Sequence, residues 1–310
     1  MKRDISLDGL LTGLLAMIAA TGAVADDTPW EPGLPFETAV VQYQIKGAQN
    51  GTETLYIRDF GRERVKVTKS EGKMMFITTS TDTIEITTAD EVVAIDMREK
   101  TGVRTTNPQK FVQEEIAKLS EAEKAVVTKN LQQIGMNAAT QMGGKVEPKG
   151  GEHLGYACDV MTVAGTTSCT MSGTSILLKT ESTLPGMNTE TVATKFEKNV
   201  TIPADIFKVP ADVKVDSNER ADNINRNMIH EMIVAMKDPA AARKITEGLA
   251  QGREQMEQAR RAAEEQQRQA AVEQAARDEG EQIEDSAPAE QDAHEMMDKG
   301  MKAFKGLFGK

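Results

Sequence analysis

Apolar and polar residues alternate with a period of two from Ala39 to Lys46. Ala39, Val41, Tyr43 and Ile45 fall on one side, with Val40, Gln42, Gln44 and Lys46 on the other. That is the pattern of a strand with one buried face. Similar runs follow at Glu53–Phe60, Glu63–Lys69, Lys73–Thr79, Thr83–Thr87, Glu91–Met97 and Thr101–Thr105, with Gly61 and Gly72 as punctuation. Asn50-Gly51 reads as a hairpin turn. The segments between these runs are too short for crossovers, so the strands pair antiparallel. Threonines such as Thr78, Thr79, Thr87 and Thr88 suit a pleated, half-solvated surface and indicate nothing more specific.

The period changes between Gln109 and Ala139. Val112, Ile116 and Leu119 share one helical face, and Ser120 with Glu123 forms a capping box for a second helix carrying Val126, Val127, Leu131 and Ile134. Such a pair, interrupting a strand series, lies across the sheet's apolar face or plugs its open end. Strands resume with Tyr156, Cys158, Val160 and Thr162, then Thr167, Cys169 and Met171 across a turn at Ala164-Gly165. Ile176 and Leu178 mark a further strand, Leu184-Pro185-Gly186 a turn, and Glu190–Phe196 the last strand. His153 reads as a loop residue leading into this set. Ile202-Pro203, Phe207 and Pro210 end the domain in an extended segment.

Beyond Asp216 the chain is helical and polar. Met228, Ile229, Met232, Ile233 and Met236 form a stripe at helical spacing, read as core or a docking face, and Pro239 ends it. From Ala240 to Ala276 large apolar residues are sparse, which predicts a solvated helix or at most a loose coiled coil. Asp278–Asp298 holds nine acids and no Lys or Arg, the composition of a disordered linker. The end interleaves Lys299, Lys302, Lys305 and Lys310 with Met301, Phe304, Leu307 and Phe308. On a helix this sets an apolar side beside a basic one. Contact with an anionic membrane surface or a partner is expected of Lys299, Lys302, Phe304, Lys305, Leu307 and Phe308. Gly300, Gly306 and Gly309 weaken that helix, and a frayed terminus is the alternative.

The N-terminus changes how the rest is read. Lys2 and Arg3 precede an apolar run, Leu10–Ala20, too short to span a bilayer. Ala23-Val24-Ala25 then supplies a small-x-small cleavage pattern, so cleavage is expected between Ala25 and Asp26. Export to an oxidising compartment, the periplasm, makes a disulfide the default for Cys158 and Cys169. Their spacing matches neither a CxxC redox pair nor a zinc site. The net charge of −11 argues against nucleic acid as a partner, and the 4% aromatic content against stacking platforms. Nucleophile elbows, phosphate-binding glycine loops, HExxH and EF-hand loops are all missing from the sequence. The expectation is a non-enzymatic protein with no cofactor, no metal and no catalytic residue.

The fold class expected is α+β: an antiparallel, incompletely closed barrel or curved sheet with an inserted helix pair and a long C-terminal extension. The boundaries are 1–25 signal peptide, 26–36 lead-in, 37–215 β-rich domain, 216–277 helical extension, 278–298 acidic linker and 299–310 basic tail. This order, with Tyr56-Ile57-Arg58 through Arg64-Val65-Lys66, Val93–Met97 with Lys100, and Gly155–Val160 with Cys169 and Leu177-Leu178-Lys179, resembles the lipoprotein-localisation-factor (LolA/LolB-like) superfamily. The likeness covers about 35–213 and rests on strand patterns. It implies a half-barrel that shelters acyl chains on an apolar concave face, and hence a lipid or lipidated protein as partner. The long tail departs from the compact carriers. A second reading is a structural or scaffolding protein whose helical tail binds partners or the membrane surface. An open apolar cavity beneath the helix pair distinguishes the first from the second.

Overall fold

The computed structural model describes residues 33–241 apart from 75–76, 142–143 and 185–186, and beyond them 243–245, 247–248, 254, 258, 261, 265 and 269. Twelve strands form one sheet: β1 (Ala39–Gly47), β2 (Gln49–Arg58), β3 (Glu63–Met74), β4 (Ile77–Thr87), β5 (Glu91–Asp96), β6 (Thr101–Thr106), β7 (Lys145–His153), β8 (Tyr156–Val163), β9 (Thr166–Met171), β10 (Leu177–Leu184), β11 (Met187–Lys198) and β12 (Lys214–Ser217). Their order is β12-β6-β5-β4-β3-β2-β1-β11-β10-β9-β8-β7. Every pairing is antiparallel except the short β12 on β6. The first strand sits mid-sheet and the sheet's ends are β12 and β7, so it is curved and unclosed.

Contacts across strands show how far it curls. In a flat sheet, three spacings of about 4.8 Å would hold β8 about 14 Å from β11. Instead Tyr156 of β8 meets Phe196 of β11 edge to face, with ring centroids 5.0 Å apart. Arg64 on β3 donates from Nη2 to Ser175 Oγ, just before β10, at 3.0 Å. Bulges help the sheet bend. Thr194 is the extra residue between the Gln42–Lys195 and Tyr43–Ala193 pairs, and β10 shifts register between Leu177 and Lys179.

Two regions of the sheet bury opposite faces. Antiparallel partners share a face, so Val41 and Leu55 lie with Lys66, whereas Val40 and Tyr56 lie with Val65, Ile86 and Val93. One core gathers Val41, Tyr43, Ile57, Leu178 and Cys158 under Leu34 and Phe36 of the lead-in. The other gathers Val65, Ile86, Val93 and Ile95 beneath Ile202, Ile206, Phe207, Val209 and Val213. The extended segment after β11 is therefore a strap across that second face.

Three helices form a third core: α1 (Pro108–Ala117), α2 (Glu121–Gln141) and α3 (Glu219–Met236). Asn107 Oδ1 caps α1 by accepting from Gln109 N, with Pro108 in the first turn. The capping box of α2 forms as the sequence indicates: Ser120 N donates to Glu123 Oε2 at 2.9 Å, and Glu123 N to Ser120 Oγ at 3.4 Å. Phe111, Ile116, Val127 and Ile134 pack against Ile229, Ile233 and Met236. The methionine-rich stripe is thus core. The helix α2 touches β7 and β8, and α3 touches β6, strands at or beside the two ends of the sheet.

Several boundaries differ from the sequence pattern. Asn50-Gly51 is not the turn but lies inside β2, paired with Glu71 and Ser70; Gly47, at φ +107°, makes the bend. Gly72 does not end β3, and Thr78–Thr87 belongs to a single strand. The sequence Lys145–His153 is a strand despite Pro148, Gly150 and Gly151, and it lies at an edge, where proline is tolerated. The described residues from 33 to 248 belong to one compact unit that includes α3; those of the second unit, 254, 258, 261, 265 and 269, are helical.

Candidate functional site

The cysteines expected to pair do so. Cys158 on β8 and Cys169 on β9 are disulfide-bonded, with Cα atoms 5.3 Å apart. The hairpin between them turns at Ala164 and Gly165, both at positive φ, the backbone that a two-residue hairpin requires. Cys158 is fully buried in the first sheet core and Cys169 is half-buried against it. Gly151 of β7 pairs with Cys158, and a Cβ there would come within 3.1 Å of Cys158 Sγ. The edge strand can carry no side chain at that point without a shift.

Arg64 and Tyr43 occupy the same core. Burial pushes the Tyr43 hydroxyl above the usual tyrosine range; the Glu53 charge adds to this and Arg64 opposes it. The hydroxyl donates to Leu177 O at 2.9 Å. Burial likewise lowers Arg64, which donates to Gly61 O and Ser175 Oγ, both uncharged acceptors. These two side chains carry hydrogen bonds across the curled sheet.

The histidines occupy separate places. His153 ends β7, and its Nε2–H donates to Ala193 O at 2.6 Å, beside the Thr194 bulge. A carbonyl can only accept, so this bond assigns the proton to Nε2. His230 on α3 meets Glu115 Oε2 at 2.9 Å on an exposed surface. His294 lies outside the described residues. Among the described residues no cluster of three or more His, Cys, Asp or Glu could hold a metal ion, and no helix is long and apolar enough to cross a membrane. The cleavage residues Ala25 and Asp26, and the tail residues Lys299, Lys302, Phe304, Lys305, Leu307 and Phe308, also lie outside the described residues.

A recess of about 560 Å³ lies at the ends of the β1–β2 and β3–β4 hairpins, lined by residues that include Lys69, Ser70, Asp82 and Thr81. Its lining residues are polar or small, and none carries a large apolar side chain for an acyl chain to pack on. Beside the second core, the opposite face of β3 and β4 carries Lys66, Thr68, Glu85 and Thr87, again polar.

The helix trio is joined by polar hooks that sequence periodicity did not reveal. Asn130, buried, donates to Met236 O and Asp238 O. Asp222 accepts from Thr106 N at 2.7 Å and from its hydroxyl at 3.1 Å, tying the start of α3 to the end of β6. Ion pairs Arg226–Glu114 and Lys237–Glu123 add surface contacts between helices. The only signal for Asn130 was a polar residue at a position where the helical period puts an apolar one.

No family model and no curated protein matches the chain. Among solved structures it is similar to an uncharacterised conserved protein from Thermus thermophilus, at TM-score 0.36 and 9% identity over 59% of this chain and 92% of that one. It is also similar to PNGF-II, at TM-score 0.32 and 12% identity, spanning 64% of this chain and about a third (33%) of that protein. Likenesses at this level carry no functional argument.

Proposed function

We propose that the chain is an exported, non-enzymatic envelope protein in which the curved sheet is a self-covered platform and the extension beyond Arg253 makes the partner or membrane-surface contacts. The observation that supports this reading is that each apolar face of the sheet is occupied by the chain itself. Leu34, Phe36 and Phe196 fill the first core, and the strap carrying Ile206 and Phe207 covers the second. The basic and apolar tail residues then supply the adhesive surface. The test compares the full chain with one lacking 254–310 and with one carrying Lys299, Lys302 and Lys305 changed to Gln. Loss of envelope association with an intact sheet signature by circular dichroism is the expected result. Unchanged fractionation of all three would sink the reading.

A second reading, carriage of a lipid or lipidated protein, draws on the order of serial antiparallel strands, helices and further strands in one unclosed sheet. Native mass spectrometry of gently purified protein separates the two. A co-purifying lipid favours the carrier, and a bare chain that ignores a fluorescent fatty-acid probe favours the platform.

A further inference from the structure

The two sulfurs of the disulfide differ in how a reactant can reach them. Thiol–disulfide exchange requires a thiolate to approach one sulfur in line with the bond, on the side away from the other. The bond runs across the sheet from β8 to β9. In-line approach to Cys158 Sγ therefore comes from the β7 side, where its cross-strand partner is Gly151 and a Cβ would stand 3.1 Å from Cys158 Sγ and 4.0 Å from Cys169 Sγ. In-line approach to Cys169 Sγ comes from the β10 side, where its cross-strand partner is Lys179. Cys158 has no exposed surface, whereas Cys169 is only half-buried.

We propose that Cys169 is a site of S-thiolation by small monothiols. The thiolate sulfur bonds to Cys169 Sγ as the Cys158–Cys169 bond breaks, and the electron pair leaves on Cys158 Sγ. A second thiolate then attacks the mixed disulfide, releasing the Cys169 thiolate and the oxidised small disulfide. Access selects the sulfur, while the leaving group makes the step slow. A Cys158 thiolate forms among Met171, Ile176 and Leu178, an apolar setting that disfavours the charge. Charge around the entry selects the thiol. Lys179 Nζ stands 2.5 Å from Glu181 and 3.3 Å from Glu190, so one cation faces two carboxylates. Cationic thiols are favoured over anionic ones.

The experiment treats the full, oxidised chain with cysteamine, mercaptoethanol or glutathione at equal thiolate concentration. Samples are quenched in acid, alkylated and mapped by peptide mass spectrometry. The expected result is an adduct on Cys169 with the alkyl group on Cys158, preferred by about tenfold or more. The order of rates should be cysteamine, mercaptoethanol, glutathione. Lys179→Gln, on a half-exposed side chain, should widen the gap between cysteamine and glutathione without changing the circular dichroism. An adduct shared equally, or placed mainly on Cys158, overturns the proposal. So does the lack of any adduct under conditions that thiolate the same chain in urea.

Discussion

Asn130, midway along α2, donates its amide hydrogens to Met236 O and to Asp238 O beyond the end of α3, each at 2.8 Å. Carbonyls at a helix C-terminus have no partner within the helix, and for Met236 O a buried side chain from a neighbouring helix supplies it. Asn130→Ala leaves Met236 O facing a cavity, whereas Asp238 O still accepts from Ala241 N at 2.8 Å, and should cost about 2 kcal/mol. The check is the urea midpoint, with amide exchange of α3 rising alongside. A midpoint unchanged from wild type would show that water takes over the amide's role.

Gly51 and Asn50 should respond in opposite ways to alanine. If the pair formed a hairpin turn, both changes would be costly. In β2, a Cβ on Gly51 would sit 2.0 Å from Lys69 O and 2.6 Å from Ser70 Cβ, so the glycine permits close approach of β3. Gly51→Ala should destabilise by about 3 kcal/mol or more through a forced backbone shift. Asn50→Ala removes one exposed bond, at 3.2 Å to Gly47 O, and should change little. Thermal unfolding of the two variants checks the contrast.

The capping box predicts a pH dependence. Hydrogen bonds from Ser120, backbone and then side chain, with Lys237 adding to them, hold the Glu123 carboxyl down at about 2 from an ordinary 4.5. A carboxylate lowered on folding stabilises above its unfolded pKa and loses that contribution as pH falls through the folded one. The stabilisation is therefore complete above about pH 4.5 and fades towards about pH 2. Glu123→Gln should flatten that part of the melting-temperature profile. Equal slopes for wild type and variant between those limits would refute the assignment.

Legibility in the sequence followed the strength of the local pattern. The capping box at Ser120 and Glu123 and the cysteine hairpin with its Ala164-Gly165 turn rest on contacts between near neighbours in the chain, and the alternation at Ala39–Ile45 is a period of two within one strand, legible although its partner β11 is distant. The edge strand β7 was hidden because its polar residues, Pro148 and glycines imitate a loop, and its partner β8 alone supplies its pairing. The opposite burial of the two sheet regions was hidden too. Both Val41 and Val65 read as buried alternating positions, and only the register shows that they point to different faces. Asn130 and Asp222 act on residues more than a hundred positions away, beyond any local period.

The strap makes the sharpest prediction about the platform reading. Phe207 packs on the Val65, Ile86 and Val93 face, and the Arg58 guanidinium lies 3.8 Å from its ring centroid while pairing with Glu63. Phe207→Ala opens a cavity at a buried site and should cost about 3 kcal/mol. Phe207→Leu, which keeps most of the volume, should cost about 1 kcal/mol. The Ala variant should also bind an apolar dye that the folded wild type ignores, because the strap is what separates this face from water. Dye binding by wild type as strong as by Phe207→Ala would mean that the face is already open, and the carrier reading would then gain the apolar surface it needs.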